Sequence, residues 1–302
     1  MEKVTDWVKL WRELVEAQSH MWKKKKSSEG EEDHWRDKAR SFSESVKQRW
    51  AKPDSHRDFI LSLLKANPGS TVLDIGAGTG GWAIPMARLA AKVTAIEPSA
   101  EMIRVMRENM GEEGVQNVAI IRDTWPEAEV ETHDFSLCSH SMYGCTDLPT
   151  FVHSMTKATK NTCLMLMRAP SHDAIMAKAA LKIWGHPHDS PNFQVAYGAL
   201  LQIGLYPHVL MGDPDQWPPW TSASYEDALA EIKRRFALES PSDHDAFLLD
   251  LLKSRLTVRD EKYVWPQEVR SALVYWKGSA YERAAFCSSS IRFEEPREGK
   301  VC

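Results

Sequence analysis

The chain has only five cysteines in 302 residues, and no two form a Cys-x-x-Cys pair. Cys138, Cys145, Cys163, Cys287 and Cys302 are an odd, irregularly spaced set. That spacing argues against a zinc ribbon or a paired disulfide framework and points to a reducing, cytoplasmic setting. No apolar run approaches the ~20 residues of a membrane-spanning helix. Asp6 and Lys9 interrupt the stretch in which a secretory signal would need an unbroken apolar core. Internal repeats are absent. The formal charge of −4 leaves little room for a broad basic surface of the kind nucleic acids require. With 43% hydrophobic and 26% charged residues, the chain has the apolar content to build a core.

What is present is concentrated in residues 72–82, Val-Leu-Asp-Ile-Gly-Ala-Gly-Thr-Gly-Gly-Trp. Thr71 to Ile75 reads as a short buried strand, and the Gly76-Ala77-Gly78-Thr79-Gly80 turn leads into a helical pattern. Glycines here allow a ligand to lie against the backbone. Gly76, Gly78 and Gly81 also satisfy the loose dinucleotide pattern. Asp74, at the strand's carboxyl end, changes that reading. A pyrophosphate on this turn would be repelled by the carboxylate, whereas a ligand with a cationic amino group would be attracted.

Asp74-x-Gly76-x-Gly78-x-Gly80, with a strand before it and Glu97 closing the next strand (92–96), resembles the first motif of class I S-adenosyl-L-methionine (SAM)-dependent methyltransferases. The likeness covers about residues 70–168 and extends toward 277. It implies SAM as cofactor, with Asp74 near the methionyl ammonium and Glu97 on the ribose hydroxyls. It further implies Asp123 at the adenine amine, Trp125 stacked on the ring, and Thr124, Pro98 and Ser139 as neighbours. The overall pattern is similar to the small-molecule branch that includes ubiquinone and menaquinone C-methyltransferases. The Asn/Asp-Pro-Pro-Tyr tetrapeptide of amino-methylating nucleic-acid enzymes is missing after the fourth strand, where Cys-Ser-His-Ser-Met-Tyr stands instead. His140 is the general-base candidate there, because an unperturbed imidazole titrates near neutrality. Tyr143 is a candidate for orienting substrate, and Cys138 and Cys145 read as inert thiols.

Strand patterns at 71–75, 92–96, 117–122, 134–139 and 162–167 alternate with helical ones at 82–89, 99–109 and 147–158. The expectation is a Rossmann-like α/β fold: a seven-stranded, mostly parallel sheet with helices on both faces. A sixth strand is expected at 206–211. A last one, at 270–276, should lie antiparallel between the fifth and sixth. Residues 1–55 are expected to form a helical lid or extension, with Trp22, His34 and Trp35 lining the substrate side. Residues 56–277 would be the SAM-binding domain, with a helical insertion at about 213–262, and 278–302 a flexible tail. His186, His188 and Asp189 sit in a proline-rich loop and are not read as a metal site. The expected activity is methyl transfer to an O, N or C nucleophile of a small molecule, with no nucleic-acid partner. The competing readings are an RNA or protein methyltransferase, supported only by Lys23–Lys26 and Lys233-Arg234-Arg235, a non-catalytic SAM-binding protein, and an NAD-dependent oxidoreductase.

Overall fold

A computed structural model describes residues 4–26, 33, 35–213 and 219–279, without the side chains of 19–26. The expected tail therefore lies almost wholly outside the described residues. In chain order the elements are α1 (Trp7–Lys26), α2 (Ala39–Trp50), α3 (Ser55–Lys65), β1 (Thr71–Ile75), α4 (Ala83–Ala87), β2 (Lys92–Ile96), α5 (Ala100–Glu112), β3 (Val118–Ile121), β4 (His133–Ser139), α6 (Leu148–Lys157) and β5 (Thr159–Pro170). Then come α7 (Ile175–Trp184), α8 (Phe193–Gln202), β6 (His208–Met211), β7 (Thr221–Ser222), α9 (Tyr225–Arg235), α10 (Asp245–Arg255), β8 (Thr257–Arg259), β9 (Lys262–Val264) and β10 (Val269–Lys277).

The main sheet has seven strands in the order β3-β2-β1-β4-β5-β10-β6. The pairs from β3 to β5 are parallel, and β10 is antiparallel to both neighbours. Alternation along each strand sorts side chains between two cores, because successive residues of a strand face opposite sides. Leu73, Ile75, Cys138, Met165 and Met167 face the layer made by α1, α6 and α8. Val72, Leu137, Leu164 and Leu166 face α3, α4 and α5. The helix starts are written in the sequence: Asp54, Ser99, Asp147, Asn192 and Ser224 each accept a backbone N–H of the first turn, leaving fewer orphan donors.

The first helix, α1, is a structural layer. Trp11 is fully buried, and its Nε1 donates to the Cys145 carbonyl at 2.8 Å. Trp7 packs so tightly on α8 that a Cβ at Gly198 would lie 2.4 Å from its ring.

The insertion departs from expectation in one respect. It is not purely helical, because β7, β9 and β8 form a separate three-stranded antiparallel sheet. These strands have two or three residues each, too few to show a period. With α7, α9 and α10 they enclose a satellite core around Ile232, Leu248, Leu252 and Trp265.

Candidate active site

The carboxyl ends of the parallel strands open into a cavity of about 860 Å3. Ligands in open α/β sheets bind at this edge. The volume is in the range of pockets that enclose a small organic molecule.

The turn after β1 is held from several sides. Gly76 and Ala77 both donate to the Ile96 carbonyl, each at 2.9 Å. Asn109, from α5, donates to the Thr79 carbonyl at 2.9 Å. The glycines differ in what they make room for. Gly76 has φ +70°, and a Cβ there would lie 2.3 Å from the Cβ of Ser141. Gly78 (φ +57°) meets only Phe42 at 3.7 Å and lines the cavity. Gly80 does not line it; a Cβ there would strike Met106 of α5 at 2.8 Å. Close packing on α5 therefore requires a glycine at this position.

Asp74 and Glu97 end adjacent strands, and both lie on the cavity wall. Asp74 is buried, and burial, with a further push from Glu97, raises its pKa to about 7. Its Oδ2 has no hydrogen-bond partner within the protein. An unpaired buried carboxylate oxygen is costly, so this atom is where a cationic ligand gains most. Glu97 is also pushed up by burial; its Oε2 accepts from Gly78 N at 2.8 Å and its Oε1 from Ser99 N at 2.9 Å.

The adenine-side candidates converge. Pro98, Asp123, Thr124 and Trp125 all line the same cavity. Trp125 is fixed edge-on to Phe151, donating from Nε1 to the Phe151 carbonyl at 3.1 Å. Trp35 also lines the cavity, stacked obliquely on Phe42 and packed against Met102 and Val105 of α5. Trp22 lies in α1 but its side chain is outside the described residues, as is His34.

Ser139 and His140 line the cavity beyond β4, whereas Tyr143 stands behind it. His140 adopts φ +56°, a left-handed conformation that non-glycine residues rarely take. The Arg168 N–H donates to the Tyr143 hydroxyl at 2.6 Å, which leaves the phenol proton for His140 Nδ1 at 3.2 Å. In this network the ring proton sits on His140 Nε2, which faces Ser271 Oγ at 3.4 Å. Burial, reinforced by the Arg49 and Arg168 charges and by His56, pushes His140 down to about 3. That lies well below the range expected of a base tuned near neutrality. His140 is a neutral, anchored group that presents a donor, and Tyr143 fixes its ring.

Other expected features resolve into structure. Cys138 is buried, and burial pushes its thiol up to about 12. Asp189 is buried and paired with Arg235 at 2.6 Å, while His188 packs edge-on against Trp7. Sequence reasoning missed Ser141, Arg49, His56 and Ser271, which also line the cavity. Only Ser141 had a legible signal, lying two residues past the end of β4.

Residues 72–162 match the family model of the methyltransferase domain. That stretch of the chain is a methyltransferase domain. Asp74 of this domain offers the orphaned carboxylate that the methionyl ammonium of SAM would satisfy, and Gly78 is the glycine of the turn left open to a ligand. The residues present therefore fit that cofactor. Over 76 residues the chain is 33% identical to a probable ribosomal RNA small subunit methyltransferase A of Methanosphaera stadtmanae, a match covering 25% of this chain and 28% of that protein. It is 22% identical over 245 residues to an uncharacterised protein of Haemophilus influenzae, covering 80% and 88% of the two chains. A solved structure, the YcgJ protein of Bacillus subtilis, superposes with a TM-score of 0.47 at 17% identity, covering 74% of this chain and 98% of that one.

Proposed function

We propose that the whole chain is a SAM-dependent methyltransferase acting on a small-molecule acceptor. The observation that carries this reading is the buried, unpartnered Asp74 Oδ2 on the wall of a cavity that it shares with Glu97, Trp125 and His140. Asp74 would receive the methionyl ammonium of SAM, Glu97 the ribose hydroxyls, and Trp125 the adenine face. The cofactor supplies a methyl group already activated on a sulfonium.

The protein's part is to align the acceptor and exclude water. Bound there, the cofactor would supply that methyl group, its sulfur keeping the bonding pair, and the chain's own residues would leave any acceptor proton a path to solvent. His140, held neutral far below its usual range, is a poor proton acceptor at pH 7. That favours a nucleophile whose lone pair or charge is already available at neutral pH.

The macromolecular alternative loses half its support. Lys233 pairs with Asp245 at 2.8 Å, Arg235 with Asp189, and Arg234 with Glu231. A basic run spent on internal pairs is not a phosphate-binding surface. The side chains of Lys23–Lys26 are outside the described residues.

The test is release of S-adenosylhomocysteine (SAH) when SAM is incubated with a panel of hydroxyl, amine and carbon-acid acceptors. Turnover on small acceptors is expected. Tight SAM binding without turnover on any of them would mean a non-catalytic SAM-binding protein, and turnover on RNA alone would overturn the small-molecule reading.

A further inference from the structure

His56, the second residue of α3, is a buried imidazole on the cavity wall. Its Nε2 donates to the Leu210 carbonyl at 3.0 Å. A carbonyl oxygen only accepts, so the ring proton of neutral His56 sits on Nε2 and the lone pair on Nδ1. Among the described residues Nδ1 makes no hydrogen bond; Asp54 Oδ1 lies 3.7 Å from it, beyond hydrogen-bond reach. Gly212, just past β6, makes room for the ring: a Cβ there would lie 2.2 Å from His56 Cε1.

Strand order and hydrogen bonds fix where this ring stands. Asp74 and Glu97 end β1 and β2, on one side of β4, whereas β10 and β6 lie on the other side. Gly212 N donates to the Ser271 carbonyl at 2.8 Å, and Ser271 Oγ faces His140 Nε2 at 3.4 Å. His56 and His140 therefore flank the end of the cavity away from the two carboxylates. The walls there are apolar: Trp50 and Trp82 meet edge-on at 5.1 Å, and the Leu166 carbonyl accepts the His140 N–H at 3.0 Å. Arg57 is committed to structure, donating to the Trp50 and Lys52 carbonyls. Asp54 is held beside the imidazole because its Oδ1 caps α3, accepting from the N–H groups of His56 and Arg57. The other charged or titratable groups about the ring are Asp213, which accepts the Ser55 N–H at 2.9 Å, His140 from the β4 side, and Arg49 of α2, which bears on Asp54.

We propose that the methyl acceptor is a hydroxyl carried on an apolar body and that His56 Nδ1 takes its proton. A hydroxyl has a lone pair at neutral pH but must still shed its proton once the oxygen is alkylated. The acceptor oxygen forms its new bond to the methyl carbon with a lone pair, the carbon–sulfur pair stays with sulfur, and the O–H pair stays with oxygen. The proton goes to Nδ1, leaving an imidazolium beside the Asp54 carboxylate, and the products are a neutral methyl ether and SAH. The Leu210 carbonyl behind the ring holds the tautomer that this step requires, and the Asp54 carboxylate favours the charged ring that results. The Asp54 side chain is 28% exposed, which gives the proton its way out to solvent. The proposal rests on the methyltransferase reading above and deepens it to a substrate class.

The experiment uses the full chain with 15N-labelled histidine, loaded with SAH at pH 8. The probes are phenol and fluorobenzene, which differ in the hydroxyl alone. His56→Gln keeps a donor for the Leu210 carbonyl but cannot take a proton, and the signals it lacks identify His56 in the wild-type spectrum. Nε2 should be the protonated nitrogen. Phenol should shift the Nδ1 signal, and fluorobenzene should leave it in place. With SAM in place of SAH, the wild type should convert phenol to anisole, and His56→Gln should do so at least a hundredfold more slowly. SAH affinity should be unchanged in that variant and phenol affinity should fall less than fivefold, a split that a merely structural histidine would not give. A proton on Nδ1 in the phenol-free protein, an Nδ1 signal indifferent to phenol or equally moved by fluorobenzene, no anisole from the wild type, or equal rates in His56→Gln would overturn the proposal. Should His56→Gln fail to fold, His56→Asn identifies the signals, and the wild-type titration with anisole formation decides. Failure of wild-type protein to bind SAH at all would fall on the methyltransferase reading and not on this one.

Discussion

Ser141 occupies the place that a side chain at Gly76 would take. Its Oγ donates to the Ile75 carbonyl at 2.7 Å, and its Cβ lies 2.3 Å from the position of a Cβ at Gly76. The last residue of β1 and the loop after β4 are thus joined at the floor of the cavity. Gly76→Ala should therefore destabilise the protein by about 2–3 kcal/mol, from overpacking together with the left-handed backbone. Thermal denaturation measures this. Adding Ser141→Gly should recover part of the loss but not all, since φ stays at +70°. Full recovery would mean that the backbone conformation costs nothing.

Asp74 and His140 give stability opposite pH trends. The folded pKa of Asp74, about 7, lies above the ordinary aspartate value of 3.8. The folded state then binds more protons than the unfolded one between those values, and its stability falls as pH rises from about 4 to about 7. His140 is depressed from 6.5 to about 3. Its contribution is present above 6.5 and is lost as pH falls toward 3. Asp74→Asn should remove most of the first trend, leaving only the share of Glu97, which has the same sign. The cofactor-free variant should then melt several degrees above wild type at pH 8. A lower melting temperature there would contradict the assignment of an unpaired buried charge.

A neutral His140 near pH 7 has a kinetic counterpart. With an accepted acceptor, the rate profile between pH 6 and 8 should show no limb belonging to His140, and His140→Gln should leave its shape unchanged while lowering its height. A limb near 6.5 that disappears in His140→Gln would restore the imidazole as a base.

Arg235 and Asp189 form a pair whose side chains are only 15% and 6% exposed. Asp189→Ala leaves the guanidinium without its partner and should cost about 3 kcal/mol in urea unfolding. The same substitution should leave RNA retention on a filter as low as in wild type. Stability unchanged within about 0.5 kcal/mol would mean a solvated pair of little weight.

The sheet was legible because its signals are local. Buried β-rich runs, an acid at each of two strand ends and helix caps such as Ser99 all lie within a few residues of one another. The antiparallel place of β10 came from resemblance rather than from pattern. The small sheet of β7, β9 and β8 was not legible, since its strands are shorter than one period of alternation and β8 is wholly exposed. Asp74, Glu97 and Trp125, picked out by the motif, line one cavity. Ser141, Arg49 and Ser271 were not picked out, because their roles depend on contacts between distant segments. The packing of Gly80 was not legible for the same reason: its neighbour is Met106, on α5.

The central claim is that Asp74 receives the ammonium of the cofactor, and the most direct test separates that group from the rest of the nucleoside. Calorimetry would compare SAH with methylthioadenosine, which lacks the amino-acid portion, on wild type and Asp74→Asn. Asp74→Asn should weaken SAH at least tenfold, the size of one charge-assisted contact, and leave methylthioadenosine unchanged. An equal loss for both ligands, or no loss for either, would contradict the account.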